Sequence, residues 1–560
     1  MKKMTGKERN RMAAGKLAVL SNVNMNMVIR MLQKQNEVYD TEGYGNELGV
    51  LLNPASSYHA FGADITFFIM DLAELLEHDF DPDTAKEKIA GWFRTLDACL
   101  PSKGIFYLSD AVLWAVELSV LADPERRLTL EWLWSEALEK FRKEHANVRI
   151  FPYRSLIEKL GEEKAFSPKM WYMGKIPLGM EMQALLAEKI AYYAALEYRT
   201  PKKVLVLDLD NTLWGGLAGE TDHTPVQLSE DHSGLAYKNL QRVLKLMQRQ
   251  GVLLIIVSKN NEADAMEIIE HHPHMVLRPE DFAARRINWD PKPDNIRNIA
   301  EELNLGTDSF VFFDDSDAER EMVRQMLPEV TVPEFPARPE DLAPCMVEIY
   351  EKYFARAVVT AEDLEKTAQY RANADRKALA GQAASFEEYL KKLEICLIPE
   401  DAKENLDRLT QLFNKTNQFN LTTNRYTTEQ MQQIVENADK RVFLYRVTDI
   451  FGDNGIVVAA IVDITGALPQ ITDFVMSCRV MGRNIENAVI DRIEQQMQEE
   501  GFAGLRGKYL PTAKNKPVAD LYEKLGYRET GTTPEGGKCY EILWQEKPER
   551  IYRLKETLYD

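Results

Sequence analysis

Cysteine is scarce: five in 560 residues, set far apart at Cys99, Cys345, Cys396, Cys478 and Cys539. With no C-x-x-C pair, a disulfide framework and a structural zinc site are excluded, and the usage fits a reducing compartment. Histidine is also sparse, and none follows His274. A Cys–His dyad therefore cannot be built within the last part of the chain. Long apolar runs are missing, since no stretch of about 18 apolar residues occurs. The stretch from Met12 to Leu20 is broken by Gly15 and Lys16, too short and interrupted for a signal segment. The expectation is a cytoplasmic protein with no membrane partner. Basic residues are outnumbered 69 to 88, for a net charge of -19, which disfavours nucleic-acid binding through phosphate neutralisation.

What is present describes ordinary globular material, 45% apolar and 28% charged, long enough for three to four domains. Residues 1–198 alternate short apolar runs with helical patterns. Expected strands are Leu17–Leu20, Ile65–Met70, Ile105–Leu108 and Val148–Phe151, with helices such as Arg127–Phe141 and Met180–Tyr198. That alternation argues for a parallel sheet covered by helices. A second α/β block spans 199–345. A Pro-bearing stretch, Val332–Pro344, leads into a charged helical segment, Glu362–Arg376, within an expected helical linker over 346–384. A third block of mixed strands and helices covers 385–560. The expected fold class is multidomain α/β.

In the second block three apolar runs each end in a polar residue. Val204–Leu207 leads to Asp208, Val252–Val257 to Ser258, and Phe310–Phe313 to Asp314 and Asp315. Helical patterns over Leu235–Gln250, Asn261–His271 and Asp294–Leu303 separate them. Parallel strands present their carboxyl ends at one edge, where open α/β sheets bind ligands. Asp208, Asp210, Ser258, Asp314 and Asp315 should therefore converge. Carboxylates so gathered repel one another unless a cation sits among them, and hard oxygen donors select magnesium. One carboxylate can then attack phosphorus, with Lys292 and Ser258 positioned to hold the phosphate.

The string VLVLDLDNTLW resembles motif I of the haloacid dehalogenase (HAD) type, and the later segments match its other motifs in order. The resemblance implies Asp208 as nucleophile and Asp210 as general acid/base, with the Asp210 backbone carbonyl offered to Mg2+. Asp315 is implied as a direct metal ligand, Asp314 as one acting through water, and Thr212 as the motif's closing position. Only about thirty residues separate Ser258 from Lys292, so no cap domain fits there; the segment from Gly215 to Gly234 can form a flap at most.

In the third block ITDFVMSCRVMGRNIE reads as a strand, a loop and a helix N-terminus. Backbone N–H groups there, with Arg479 and Arg483, suit a phosphate or pyrophosphate. The loop is similar to the R-x-x-G-x-G/A loop of GNAT acyltransferases, with Gly482 kept and Asn484 replacing the last small residue. KNKPVADLYEKLGY resembles the closing GNAT motif, carrying Asn515 and Tyr522. Cys478 has two readings: a buried small hydrophobe, or a thiol biased towards thiolate by flanking arginines and a helix N-terminus. Arg425, Arg479, Arg483, Arg492, Arg506, Lys508, Lys514 and Lys516 would make a docking patch for an acidic carrier protein if they cluster.

HAD and GNAT motifs in this order, with the strings KVLVLDLDNTLWGGLAGE, LLIIVSKNN, FVFFDDSDAERE and LTQLFNKTNQFNLTTNRY, resemble the FkbH-like glyceryltransferase/phosphatase family over the chain after Lys202. The resemblance implies a phosphorylated three-carbon acyl donor, 1,3-bisphosphoglycerate. It also implies loss of phosphate at the HAD site and passage of the glyceryl unit through an enzyme thiol, carried over as Cys478. The acceptor would be the phosphopantetheine of an acyl carrier protein in a polyketide-type pathway. The family's flap continues with Asp-Gly where this chain has Thr221-Asp222-His223. The N-terminal block looks like the SGNH-hydrolase-like domain of longer members. Ser21 stands where that nucleophile would, yet no histidine occurs between Ala146 and Asp222, so the domain is expected to be non-hydrolytic, with Ser21 a helix N-cap. Three other readings stay open: a HAD phosphatase on a sugar or polyol phosphate, a coenzyme A-dependent acetyltransferase with a vestigial phosphatase, and a non-catalytic carrier scaffold.

Overall fold

The computed structural model describes residues 15–40, 43–115, 123–219, 226–303, 305–359, 370, 372–373, 376, 379–416, 418–477, 480–512, 514–533, 536–550, 552 and 554. It divides into two units, residues 1–201 with 355–358 and residues 202–354 with 359–560. No helix among the described residues is long and apolar enough to cross a membrane.

The first unit is built on four parallel strands in sequential order, β1 (Leu17–Leu20), β2 (Ile65–Phe68), β3 (Ile105–Ser109) and β4 (Val148–Phe151). β1 and β2 are apolar or nearly so and wholly buried, as strands covered on both faces must be. Val38 adds a parallel bridge to Leu17 on the other side of β1. Counted as a strand, it gives the order 2-1-3-4-5 of a doubly wound sheet. Helices α1 (Pro82–Cys99), α2 (Pro124–Glu144) and α3 (Met180–Tyr198) cover the faces. The first two open with an Asp N-cap and Pro at the first turn, a pairing that satisfies orphan N–H groups and pre-sets φ.

The second unit holds two sheets. One has the parallel order β7-β6-β5-β8, from β5 (Val204–Leu207), β6 (Leu253–Ser258), β7 (Phe282–Ile287) and β8 (Phe310–Phe313). Thr331 bridges Val311 in parallel beyond β8, which completes the order 3-2-1-4-5. The strand order reverses between β5 and β8, so the crevice opens where Asp208 and Asp314 stand. Helices α4 (His232–Arg249), α5 (Glu262–His271), α6 (Lys292–Leu303) and α7 (Asp317–Met326) pack around it. Asn261 and Ser316 cap α5 and α7 with their side chains, each contact contributing about 1 kcal/mol. β7 was not expected from sequence. Its residues FAARRI carry two arginines and lack a clean period, as befits an edge strand that charge protects from stray pairing. The expected boundary at 345 falls inside a helix, α8 (Leu342–Ile349). Leu342, Met346, Ile349 and Phe354 are buried in the core of this sheet, so chain placed in the linker belongs with the HAD-like block. Most of Glu362–Arg376 lies outside the described residues.

The other sheet runs β14-β15-β13-β12-β11-β10-β9, from β9 (Cys396–Pro399), β10 (Lys440–Asp449), β11 (Gly452–Asp463), β12 (Gln470–Met476), β13 (Gly504–Tyr509), β14 (Arg528–Thr532) and β15 (Lys538–Leu543). It is antiparallel except between β12 and β13, which pair in parallel only at Gln470–Arg506 and Ile471–Gly507. Beyond that point the strands part. α9 (Phe386–Leu393), α10 (Leu406–Lys415), α11 (Thr428–Glu436) and α12 (Ile485–Glu499) complete the block.

Candidate active site

The chain leaves β5 through a turn that the sequence dictates. Asn211 takes the left-handed conformation at φ 53°, which Asn tolerates better than most residues, and its side chain accepts from the Gly216 N–H at 2.9 Å. Asp208 and Asp210 therefore stand at the carboxyl edge, while Thr212 turns inward, fully buried, with its hydroxyl unpartnered among the described residues. Gly215 and Gln227 exchange backbone hydrogen bonds at 3.2 and 2.8 Å, pinning the two ends of the flap. Residues 220–225, including the departure from the family's flap, lie outside the described residues.

The structure brings Asp208, Asp314 and Asp315 together, one carboxylate oxygen of each lying within 4.8 Å of the others. Lys292, in the first turn of α6, is 3% exposed. Its ammonium reaches Asp208 Oδ1 at 2.8 Å and Asp314 Oδ2 at 2.6 Å. Burial would lower the Lys292 pKa, but the two carboxylates outweigh it and hold the group protonated. Burial and the neighbouring Asp208 push Asp314 up to about 6, against the pull of Lys292. Asp315 is raised by the same two causes. Three acids against one ammonium leave this buried edge short of positive charge. The all-oxygen donor set suits a hard divalent cation such as magnesium, whose charge would reverse those upward shifts.

Asp210 is held apart from that group. Its Oδ1 accepts from the Trp214 indole at 2.9 Å and the Ala218 N–H at 3.0 Å, and its Oδ2 from Asn260 at 2.9 Å. Burial nonetheless raises its pKa. Only its backbone carbonyl could serve the metal role expected of it, since the carboxylate is engaged elsewhere. Ser258 is the last residue of β6 itself, 2% exposed, and its hydroxyl has no partner among the described residues. Two contributors were missed. Asn260 positions Asp210, and its signal was the polar turn SKNN at a strand end. Arg320, 5% exposed on α7, donates at 2.7 Å to the carbonyls of both Asp314 and Asp315, fixing the acidic turn; nothing in its spacing announced this.

The block over residues 385–560 is placed differently. Cys478 and Arg479 lie outside the described residues. Gly482 is at φ 75°, so the loop needs its backbone freedom. Arg483, expected at a phosphate, is 5% exposed and donates to Asp449 at 3.0 Å, a carboxylate it shares with Arg376. Asn515 is likewise engaged inside the protein, accepting from Thr512 N at 2.7 Å and donating to the carbonyls of Asn420 and Leu510. Tyr522 is 1% exposed between Tyr527 and Tyr540, with its hydroxyl enclosed. The gap between β12 and β13 is filled by the chain itself. Leu421 N donates to Phe474 O, Met476 N to Phe419 O, and Leu510 N to Leu421 O. Thr422, Asn424 and Tyr426 then converge on buried Asp473 at 2.8–3.0 Å. From Phe419 to Tyr426 the polar string is thus a wedge anchored between two strands. Of the basic residues considered as a docking patch, Arg425 donates to the Thr416 and Phe413 carbonyls, and Arg506 pairs with Glu541.

In the N-terminal unit Ser21 does not cap a helix. Its hydroxyl donates to the Ile69 carbonyl and accepts from Val23 N at 3.2 Å, and the helix Asn26–Leu32 follows Met25 without a side-chain cap.

No family model matches the chain, and no curated protein matches it. Among solved structures it is similar to the N-terminal part of protein BF1531 from Bacteroides fragilis, which contains a phosphatase domain and was solved with Mg. That match has 25% identity and a TM-score of 0.53 over 63% of this chain and 100% of that one. It also matches the ribosomal-protein-S18-alanine N-acetyltransferase from Escherichia coli, at 12% identity and TM-score 0.22 over 28% of this chain and 99% of that one. The GNAT domain of S. lividans PAT matches at 15% identity and TM-score 0.22 over 26% of this chain and 89% of that one.

Proposed function

We propose that this chain is a magnesium-dependent phosphatase of the HAD type whose phosphatase site serves an acyl transfer. The observation that carries the first half is the Asp208–Lys292–Asp314–Asp315 cluster at the sheet's switch point. The magnesium in the similar Bacteroides fragilis structure supports the choice of metal. Asp208, Asp315 and the Asp210 backbone carbonyl would hold the ion, which when bound supplies charge to offset the substrate phosphate and the attacking carboxylate.

The protein's own groups do the rest. An Asp208 oxygen attacks phosphorus in line, and the bond from phosphorus to the leaving oxygen breaks. Asp210, its pKa raised by burial and its carboxyl aimed by Trp214, Ala218 and Asn260, serves as the acid that protonates that oxygen. The resulting carboxylate then takes a proton from water, whose oxygen attacks the phosphorus of the aspartyl-phosphate, releasing phosphate and restoring Asp208. Lys292 neutralises the nucleophile, and Ser258 offers a donor to a phosphate oxygen.

The second half rests on the family resemblance. Cys478 thiolate attacks the acyl phosphate of 1,3-bisphosphoglycerate, the carbon–oxygen bond to phosphate breaks, and phosphate leaves. The HAD site removes the remaining phosphate ester, and the carrier's phosphopantetheine thiol displaces Cys478 from the glyceryl group. Thioester exchange is nearly isoenergetic, so it calls on proximity and orientation more than on driving force. The N-terminal unit reads as an SGNH-like, non-hydrolytic module, and the setting as cytoplasmic.

The test combines enzyme, magnesium, 1,3-bisphosphoglycerate and a carrier protein bearing free phosphopantetheine, followed by intact mass. Wild type should add a glyceryl group to the carrier. Cys478→Ser should keep phosphatase activity and fail to load. Efficient loading by Cys478→Ser would sink the thiol relay, and phosphate release with no loading by wild type would leave a plain phosphatase.

A further inference from the structure

The end of β6 and the turn after it carry three polar residues in succession. Ser258 and Asn260 serve the site already described, and Lys259 between them has no part in that mechanism. Its ammonium donates to Glu319 Oε1 at 2.7 Å, and Glu319 lies in the first turn of α7. β5 stands between β6 and β8 in the sheet. An ion pair from the end of β6 to the helix that follows β8 therefore crosses the carboxyl end of β5, where Asp208 and Asp210 emerge. Both anchors are fixed to the site. Next to Lys259, Asn260 donates to Asp210 Oδ2 at 2.9 Å, and next to Glu319, Arg320 holds the carbonyls of Asp314 and Asp315.

Two other cations at this edge are occupied: Lys292 is buried against Asp208 and Asp314, and Arg320 against backbone carbonyls. The Lys259 side chain is 34% exposed, within reach of a molecule entering from solvent. An ammonium carries three N–H donors and no acceptor, and Glu319 takes one of them. A half-exposed ion pair is weak, so the ammonium can turn part-way towards a second anion. In-line attack by Asp208 puts the leaving oxygen on the far side of phosphorus from it, outward, towards the mouth that the pair crosses. We infer that Lys259 is a specificity residue of the phosphatase site, binding a second anionic group on the leaving side of the substrate, a carboxylate or a further phosphate, while Glu319 aims it. The inference rests on the phosphatase half of the proposed function. An acyl carbonyl at the same place also accepts from an ammonium, more weakly, so a thioester-bound substrate is held as well.

The experiment compares magnesium-dependent hydrolysis of 3-phosphoglycerate and sn-glycerol 3-phosphate by the full chain, two esters that differ in a carboxylate against a hydroxymethyl group. Wild type should favour 3-phosphoglycerate by roughly ten- to a hundredfold in kcat/KM, the range of a hydrogen bond to a charged group. Lys259→Met should bring that ratio close to one, chiefly by raising KM for 3-phosphoglycerate, and Lys259→Arg should keep most of it. A strut that only joined two elements would move both substrates alike. Should Lys259→Met fail to fold, Lys259→Gln, which can still meet Glu319, should show the same loss of preference. No preference in wild type, or a preference that survives Lys259→Met or Lys259→Gln, would overturn the role of Lys259 and leave the phosphatase standing. Hydrolysis of neither ester by wild type would remove the phosphatase reading, and this inference with it.

Discussion

Two parallel sheets in this chain begin alike, with a buried apolar strand followed by a polar residue, and finish differently. After β5 the polar groups are acids that meet acids from β8, and one lysine holds the pair without neutralising the group. After β1 the polar groups meet backbone. Ser21 is tied to Ile69, Asn22 exchanges bonds with Asp71 at 2.8 and 2.9 Å, and Ser109 accepts from Met70 N at 3.0 Å. Side chains there extend the ladder beyond the strand ends and stitch the sheet closed. The histidines of that unit are engaged as well: His59 at the Leu51 carbonyl, His78 at Glu74, and His145 3.0 Å from Asp97. A polar residue after a strand becomes chemistry only where charge is left uncompensated.

Asp208→Asn tests this contrast with the largest effect. It removes the nucleophile while changing little volume, so magnesium-dependent phosphate release should fall by roughly 10⁴-fold or more, with circular dichroism and Tm unchanged. Ester hydrolysis at the wild-type rate by folded protein would break the comparison at its stronger side.

Asn260→Ala sharpens it. Asp210 loses one of three donors but not its place, so kcat should drop roughly ten- to a hundredfold with KM little moved. A rise in KM with kcat intact would reassign Asn260 to substrate binding.

On the disarmed side, Ser21→Ala should leave any ester hydrolysis untouched and cost about 1 kcal/mol through the lost bonds to Ile69 and Val23, read as a lowered denaturant midpoint. Esterase activity that vanishes with Ser21 would collapse the distinction between the two sheets.

The smallest effect concerns Asp71, whose carboxyl burial pushes up to about 6. A folded pKa above the unfolded one means the folded unit binds more protons between the two. Its contribution is therefore present at low pH and lost as pH rises towards 6. Asp71→Asn, which can still cap the turn at Glu74, should flatten that pH dependence of stability. An unchanged slope between pH 4 and 6 would assign it to another group, Asp110 being the next candidate, also raised to about 6 by burial.

Much was legible without coordinates because it depends on local pattern. Runs such as VLVL and FVFF are too apolar to lie anywhere but inside a covered parallel sheet, and the polar residues after them must emerge at one edge. That reasoning carried Asp208, Asp314 and Asp315 to one place, while Asp210, expected with them, is turned to Trp214, Ala218 and Asn260. β7 escaped because an edge strand need not be apolar, and the boundary at 345 escaped because Met346 and Ile349 continue a helix whose burial depends on a distant sheet. Partner choice was illegible for the same reason. Arg483, Asn515 and Tyr522 are residue types that would suit a cofactor, yet Asp449, Asn420, Tyr527 and Tyr540 come from other parts of the block to meet them. Sequence by itself determined which elements form and which ends carry charge, since both follow from periodicity and residue type. Only the tertiary structure decided which polar groups are satisfied within the protein and which, like the acids around Lys292, are left for something else to meet.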